Sequence, residues 1–120
     1  MATISQELQI AAEHHRCGRL QEAEQAYRQV LEAAPQHAEA WHGLGSLAVQ
    51  VGRNDVAVDC LQRALHHKPD LVEACIQLGN VHEDQGRPGE AMACYQRALQ
   101  LRPDDADAHH YLGNVCKDQG

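Results

Sequence analysis

The chain has 120 residues, a formal net charge of −7 and a hydrophobic fraction of 43% without any Phe, which suits one helical domain. Its ten Lys and Arg residues are scattered, so the sequence offers no clustered cationic surface for nucleic-acid phosphates. No apolar run approaches the roughly 18 residues of a membrane span, and the first 20 residues, with Glu7 and Glu13, lack the apolar core of a signal peptide. We therefore expect a cytoplasmic protein that binds neither nucleic acid nor membrane.

Proline, glycine and alanine residues recur along the chain at one fixed interval. The interval is 34 residues in each of three series, which are Pro35, Pro69 and Pro103; Gly18, Gly52, Gly86 and Gly120; and Ala23, Ala57 and Ala91. Self-similarity at such a period is typical of a solenoid in which each repeat packs on its neighbours.

Within each period the apolar residues follow helical spacing twice, which predicts two helices per repeat. The predicted helices, in chain order, cover about 4–17, 20–33, 38–51, 54–67, 72–85, 88–101 and 106–119. Gly52 is expected to provide the positive φ that ends a first helix, and Asn54 to cap the second helix. Pro88 fits the first turn of its helix, where no N–H is needed.

Small residues are predicted where the two helices of a repeat cross. Gly45, Gly79 and Gly113 lie in first helices, and we expect them to face the alanines of the second helices, such as Ala57 and Ala91. A larger side chain at either place would hold the helices apart.

One segment resembles a known family: Trp41-x-x-Leu44-Gly45, followed by Ala57, Leu61, Ala64 and Pro69, is similar to the tetratricopeptide repeat signature. The resemblance implies an all-α fold, a right-handed superhelical solenoid of antiparallel helix pairs. It divides a single domain, 1–120, into three full repeats at about 4–37, 38–71 and 72–105, plus one extra helix in a half repeat at 106–120.

The resemblance also implies a concave groove that is lined by the first helices and accepts peptide segments. The predicted peptide-binding residues are Glu39, His42, Ser46, Glu73, Ile76, Asn80, Glu83, Asp84, Asp107, His110 and Asn114. With the flanking places Arg16, Lys117 and Asp118 included, the groove has six acidic and two basic residues. This pattern fits a basic partner, although a solvated helix face of an acidic protein has the same composition.

Two subclasses of the family are relevant. One binds the acidic C-termini of heat-shock chaperones through a Lys, Asn and Arg clamp, and the matching places here are Leu8, Ala12, Gly43, Glu73 and Gln77, so the clamp is missing. The strings Leu78-Gly79-Asn80 and Leu112-Gly113-Asn114 are also similar to the arrays of O-linked N-acetylglucosamine transferases, but the inner-face asparagines of those arrays are not reproduced.

Nine histidines and five cysteines raise the question of a metal or a nucleophile. The five cysteines contain no CxxC pair, and the spacings Cys75-x6-His82 and His109-x6-Cys116 place the two side chains about 10.5 Å apart along one helix. Cys60 and Cys94 share one place in successive repeats, as core residues do. We expect reduced cysteines and no metal, cofactor or catalytic group.

The sequence thus predicts a scaffold for protein interaction, and not an enzyme, that holds a partner's peptide segment in a concave acidic groove. Two alternatives are that the repeats form the substrate-recruiting arm of a larger transferase, or that they assemble with one another. His109, Gly113 and Cys116 occupy places that face a second helix in the other repeats. We therefore also expect weak self-association through the C-terminal helix.

Overall fold

The structure, a computed structural model, describes residues 3–118. It contains seven helices, and their bounds agree with the predicted ones to within one residue. The helices are α1 (Ile4–Arg16), α2 (Leu20–Ala33), α3 (Ala38–Gln50), α4 (Asn54–His67), α5 (Val72–Asp84), α6 (Pro88–Leu101) and α7 (Ala106–Asp118). Gly120 and the predicted last residue of the seventh helix, 119, lie outside the described residues.

The helices pack as a row of antiparallel pairs. Each first helix contacts the second helix of its own repeat, and each second helix contacts the next first helix along the chain. The first helices α1, α3, α5 and α7 also contact one another in sequence, whereas the second helices α2, α4 and α6 show no such contact within residues 3–118. The row therefore curves, with the first helices on the inside, and measures 54 × 26 × 21 Å.

Three glycines end the first helices as the sequence predicts. Gly18, Gly52 and Gly86 have φ values of 80°, 78° and 74°, a region that side-chain-bearing residues rarely adopt. The prediction for Asn54 is wrong. Arg53, at φ −92° and ψ 77°, is the N-cap residue, so Asn54 is already the first residue of α4. No side chain forms a capping hydrogen bond to this helix. Pro88 is the first residue of α6, as expected.

The interior is built mainly from alanines and a few large side chains. Ala23, Ala57 and Ala91 are fully buried, and so are Leu61 and Tyr95. They belong to small hydrophobic clusters that follow one another along the row, each formed by neighbouring helices. The core is thus distributed along the array, as a solenoid requires.

The glycines of the helix crossings face other partners than the sequence suggests. A Cβ on Gly45 would come within 2.8 Å of Leu61, and a Cβ on Gly79 within 2.5 Å of the Tyr95 ring. The nearest neighbours are therefore the bulky residues one helical turn after Ala57 and Ala91. Gly113 has no neighbour within 4 Å of an added Cβ among the described residues.

No helix in the described part of the chain is long and apolar enough to cross a membrane.

Candidate functional site

The first helices α1, α3, α5 and α7 form the concave surface, which we call the groove, and the predicted peptide-binding residues lie on α3, α5 and α7. None of the eleven is buried. The exposed members are Glu39, Glu73, Asp84, Asp107, His110 and Asn114, and the half-buried members are His42, Ser46, Ile76, Asn80 and Glu83.

Two of the half-buried residues, His42 and Ser46, form one hydrogen-bonded cluster with Gln77. The His42 Nε2 atom lies 2.7 Å from the Gln77 Oε1 atom, and the Gln77 amide donates to the Ser46 hydroxyl at 3.1 Å. A similar bridge joins His15 and Gln50 at 2.8 Å between α1 and α3. These contacts join successive first helices, so they fix the spacing of the groove floor as well as its polarity.

A second polar cluster is centred on the hydroxyl of Tyr95, a residue whose ring belongs to the core. The hydroxyl lies 2.5 Å from the Asn80 Oδ1 atom and 2.6 Å from the Glu83 Oε1 atom. One hydroxyl proton can serve only one acceptor. The consistent arrangement has Tyr95 donating to the Glu83 carboxylate while the Asn80 amide, turned by 180°, donates to the tyrosine oxygen.

This cluster also affects the titration of Tyr95. Burial raises the pKa of the phenol, and the hydrogen bond to Glu83 and the charge of that carboxylate raise it further. The same hydrogen bond holds the Glu83 side chain in one orientation.

The remaining acidic side chains of the groove are freer. Glu73 lies 3.7 Å from Arg102, with 61% of the Glu73 side chain exposed, and Arg102 is shared with Asp105 at 3.4 Å. Such exposed ion pairs contribute little stability and exchange readily. Ile76 packs against two of the hydrophobic clusters and gives the groove an apolar element.

Helix α7, the last of the inner helices, adds a separate group of side chains. The His110 Nε2 atom lies 3.3 Å from the Asn114 amide nitrogen, and the His110 ring meets the Tyr111 ring edge-on at 5.5 Å. Tyr111 in turn stacks on Tyr95 at 5.7 Å. The C-terminal end of the groove is therefore the aromatic end.

Sequence reasoning did not anticipate the contacts of three residues. It treated Gln77 only as a departure from a family pattern, and it included neither Tyr95 nor Arg102 among the candidate residues. The only available signal was the place that Gln77 shares with Gly43 and Tyr111, two residues before the glycines of the first helices.

The titratable groups of the described residues include no cluster of three His, Cys, Asp or Glu side chains able to hold a metal ion. Burial raises the pKa of Cys60 and Cys75 and, with smaller contributions from Cys75 and Glu90, raises the pKa of Cys94 to about 11. These thiols stay protonated at neutral pH and are poor nucleophiles.

Known proteins were compared with the chain at the levels of family, sequence and structure. Residues 17–74 match a family model described as "Tetratricopeptide repeat", and residues 84–120 match one described as "TPR repeat". No curated protein sequence matches the chain.

Three solved structures illustrate the structural similarity. A crystal structure of MamA is 22% identical with a TM-score of 0.91 over 98% of this chain and 69% of that one. The first TPR of Spaghetti (RPAP3), bound to the HSP90 peptide SRMEEVD, is 18% identical with a TM-score of 0.92 over 97% and 94%. The Arabidopsis OM64 TPR domain is 16% identical with a TM-score of 0.90 over 96% and 95%.

These similarities confirm the predicted fold class, an all-α superhelical solenoid of antiparallel helix pairs. The two family matches cover most of the chain and both describe the same repeat. The chain therefore belongs to the tetratricopeptide-repeat family.

Proposed function

We propose that the protein is an interaction scaffold whose groove binds a peptide segment of a partner protein that carries Lys or Arg. The observation behind the proposal is the set of acidic side chains that stay exposed or half-exposed along the inner helices, among them Glu39, Glu73, Asp84 and Asp107. Apart from the shared Arg102, no ion pair within residues 3–118 neutralises any of these four.

The geometry adds two features that a peptide site uses. The floor is held in place by the polar bridges between first helices, so little ordering is needed on binding. Glu83 is oriented by Tyr95, and Ile76 offers an apolar contact seven residues earlier on the same helix. A segment that carries both a cationic and an aliphatic side chain would satisfy both.

Among the solved structures, the repeat of Spaghetti (RPAP3) binds an acidic chaperone peptide. We propose the opposite preference here because the places of the chaperone clamp hold Glu73 and Gln77, and an acidic peptide would be repelled by Glu73. No catalytic role is proposed for the chain, and the cytoplasmic location stays a prediction. A role as the recruiting arm of a larger transferase would use the same groove.

The test measures the affinity of a fluorescently labelled peptide of alternating Lys, Ala and Arg by anisotropy, with the labelled peptide SRMEEVD as the comparison. We expect the basic peptide to bind, and its affinity to fall as ionic strength rises from about 0.01 M to 0.15 M, where the Debye length shortens from about 30 Å to 8 Å. Glu73→Lys and Asp107→Lys should each weaken binding by about two- to fivefold.

The matched control is Glu32→Lys, which makes the same charge change on an exposed residue of α2 outside the groove. It should leave the affinity within about twofold. Binding that ignores salt and both groove substitutions, or tighter binding of SRMEEVD than of the basic peptide, would exclude the proposal.

A further inference from the structure

On the convex side, the second helices α2 and α4 diverge over the C-terminal half of α3. Between them lies a crevice of about 160 Å³ whose lining includes Leu20, Leu44, Leu47 and Val56. None of the predicted groove residues contributes to the lining. This convex crevice is therefore a separate surface.

Part of the apolar character of the convex crevice is specific to the second repeat. At three of its lining places, the first and third repeats carry polar or thiol side chains and the second repeat carries an aliphatic one. The three series, in repeat order, are His14, Ala48, His82; Cys17, Val51, Gln85; and Glu22, Val56, Glu90.

The third repeat shows which contacts polar side chains form at these places. His82 is buried, and its Nδ1 atom lies 3.4 Å from a carboxylate oxygen of Glu90. The imidazole thus occupies the volume that Ala48 leaves open one repeat earlier. Val51, in contrast, has 52% of its surface exposed and makes the rim of the convex crevice apolar.

The charges at the rim oppose the charge of the whole chain. Arg28, Arg53 and Glu24 are the charged lining residues, and Glu24 lies 3.7 Å from Arg28. Arg53 forms no ion pair within the described part of the chain. The nearby Asp55 accepts a hydrogen bond from Gln85 at 3.3 Å. In a protein of net charge −7, the residues that line the convex crevice carry one cation more than they carry anions.

We propose that the convex crevice is a second docking site, for a partner peptide segment that inserts one Phe or Leu side chain between α2 and α4 and places a neighbouring carboxylate against Arg53. The volume supports this occupant, since an apolar cavity of about 150 Å³ accepts a benzene ring. The guanidinium of Arg53 is the natural partner of a carboxylate.

The two surfaces then bind peptide segments of opposite charge. The groove takes a basic segment, whereas the convex crevice takes an acidic segment with an apolar anchor, and one partner or two could engage both sides. The site does not depend on the groove proposal, because the lining residues and the sign of the charge differ.

The experiment uses backbone amide NMR of the labelled chain, titrated with the blocked tripeptide Glu-Phe-Glu. We expect shifts at amides around Val51, Arg53 and Val56, with little change in the groove. The blocked tripeptide Glu-Ala-Glu should bind at least about tenfold more weakly than Glu-Phe-Glu, because the apolar anchor is missing. The blocked tripeptide Lys-Phe-Lys should shift groove amides instead.

Substitutions at two exposed arginines test the role of Arg53. Arg53→Glu should weaken Glu-Phe-Glu binding by about tenfold, whereas Arg19→Glu, at the same place before α2 but outside the lining, should not. Arg53 makes no side-chain cap bond to α4, so the fold should tolerate its loss. The double substitution Ala48→His with Val56→Glu copies the third repeat and should abolish binding by filling the crevice.

Three results would overturn the proposal: no shift with Glu-Phe-Glu at millimolar peptide, shifts confined to the groove, or equal effects of Arg53→Glu and Arg19→Glu. Concentration-dependent shifts at Val51 and Val56 without peptide would assign the convex crevice to a second copy of this chain, and would also overturn it. The Arg53→Glu result decides the matter even if the double variant fails to fold.

Discussion

Glycine in the middle of a helix ordinarily lowers stability, so replacing it with Ala should help unless the methyl group has no room. Gly79 and Gly113 occupy the same place in successive repeats, and the structure predicts opposite outcomes for them. At Gly113 an added Cβ meets nothing within 4 Å. Gly113→Ala should therefore stabilise the chain by about 1 kcal/mol, which is the difference in helix propensity.

Gly79→Ala gains the same propensity but collides with a ring that cannot move. The added Cβ would lie 2.5 Å from one Tyr95 ring carbon and 2.9 Å from two others. Tyr95 is fully buried, and its hydroxyl is held by Asn80 and Glu83. Overpacking of this kind costs about 1–3 kcal/mol, so we expect a net loss of up to about 2 kcal/mol.

The assay is urea unfolding followed by circular dichroism, with both variants measured beside the parent chain. With a slope of about 1–3 kcal/mol per molar urea, Gly113→Ala should raise the midpoint, Gly79→Ala should not, and the two midpoints should differ by on the order of 1 M. If Gly79→Ala raises the midpoint as much as Gly113→Ala does, the α5–α6 crossing is not as close as described. Gly45→Ala should fall between them, because Leu61 at 2.8 Å can change rotamer more easily than a pinned ring.

Two further predictions concern ionisation and assembly. Burial raises the pKa of Tyr95 above its ordinary 10.0, so the tyrosine loses its proton at a lower pH in the unfolded chain than in the folded chain. The free energy of unfolding should therefore fall above about pH 10. Tyr95→Phe should lessen that fall while lowering stability at pH 7 by about 1 kcal/mol. His109, Gly113 and Cys116 are exposed on α7, so light scattering in reductant should show weak association that disappears on dilution. Gly113→Arg should abolish it, and a strict monomer at millimolar concentration would contradict the prediction.

The helices could be predicted closely because period, proline and glycine act locally. A glycine with positive φ after each first helix, such as Gly52, and a proline after each second helix, such as Pro69, set the ends within one residue. The cap at Asn54 was wrong for an equally local reason. Arg53, which follows Gly52, is the last residue outside the helical region, so the helix begins at Asn54 itself.

The contacts of the groove could not be predicted in the same way. Whether Gln77 reaches His42 depends on the rotation between successive repeats, and the 34-residue period does not specify that rotation. The hydroxyl of Tyr95 was missed because a tyrosine with a buried ring is read as core, although such a ring keeps a polar end that must find a partner. Helical periodicity identifies the face of a side chain, but not its partner on another element.

Places that keep one residue type in every repeat and places that change it contribute differently to this molecule. The alanine series that includes Ala57 and Ala91 is buried in each repeat and sets the helix spacing, so it carries the fold. The place two residues before the first-helix glycine varies instead: Gly43 leaves room for the Tyr27 ring, Gln77 bridges two first helices, and Tyr111 stacks on Tyr95. The apolar lining of the convex crevice has the same origin, because the second repeat replaces polar residues that its neighbours keep. In a chain made of near-copies, the departures from the period are therefore the first residues to test for binding.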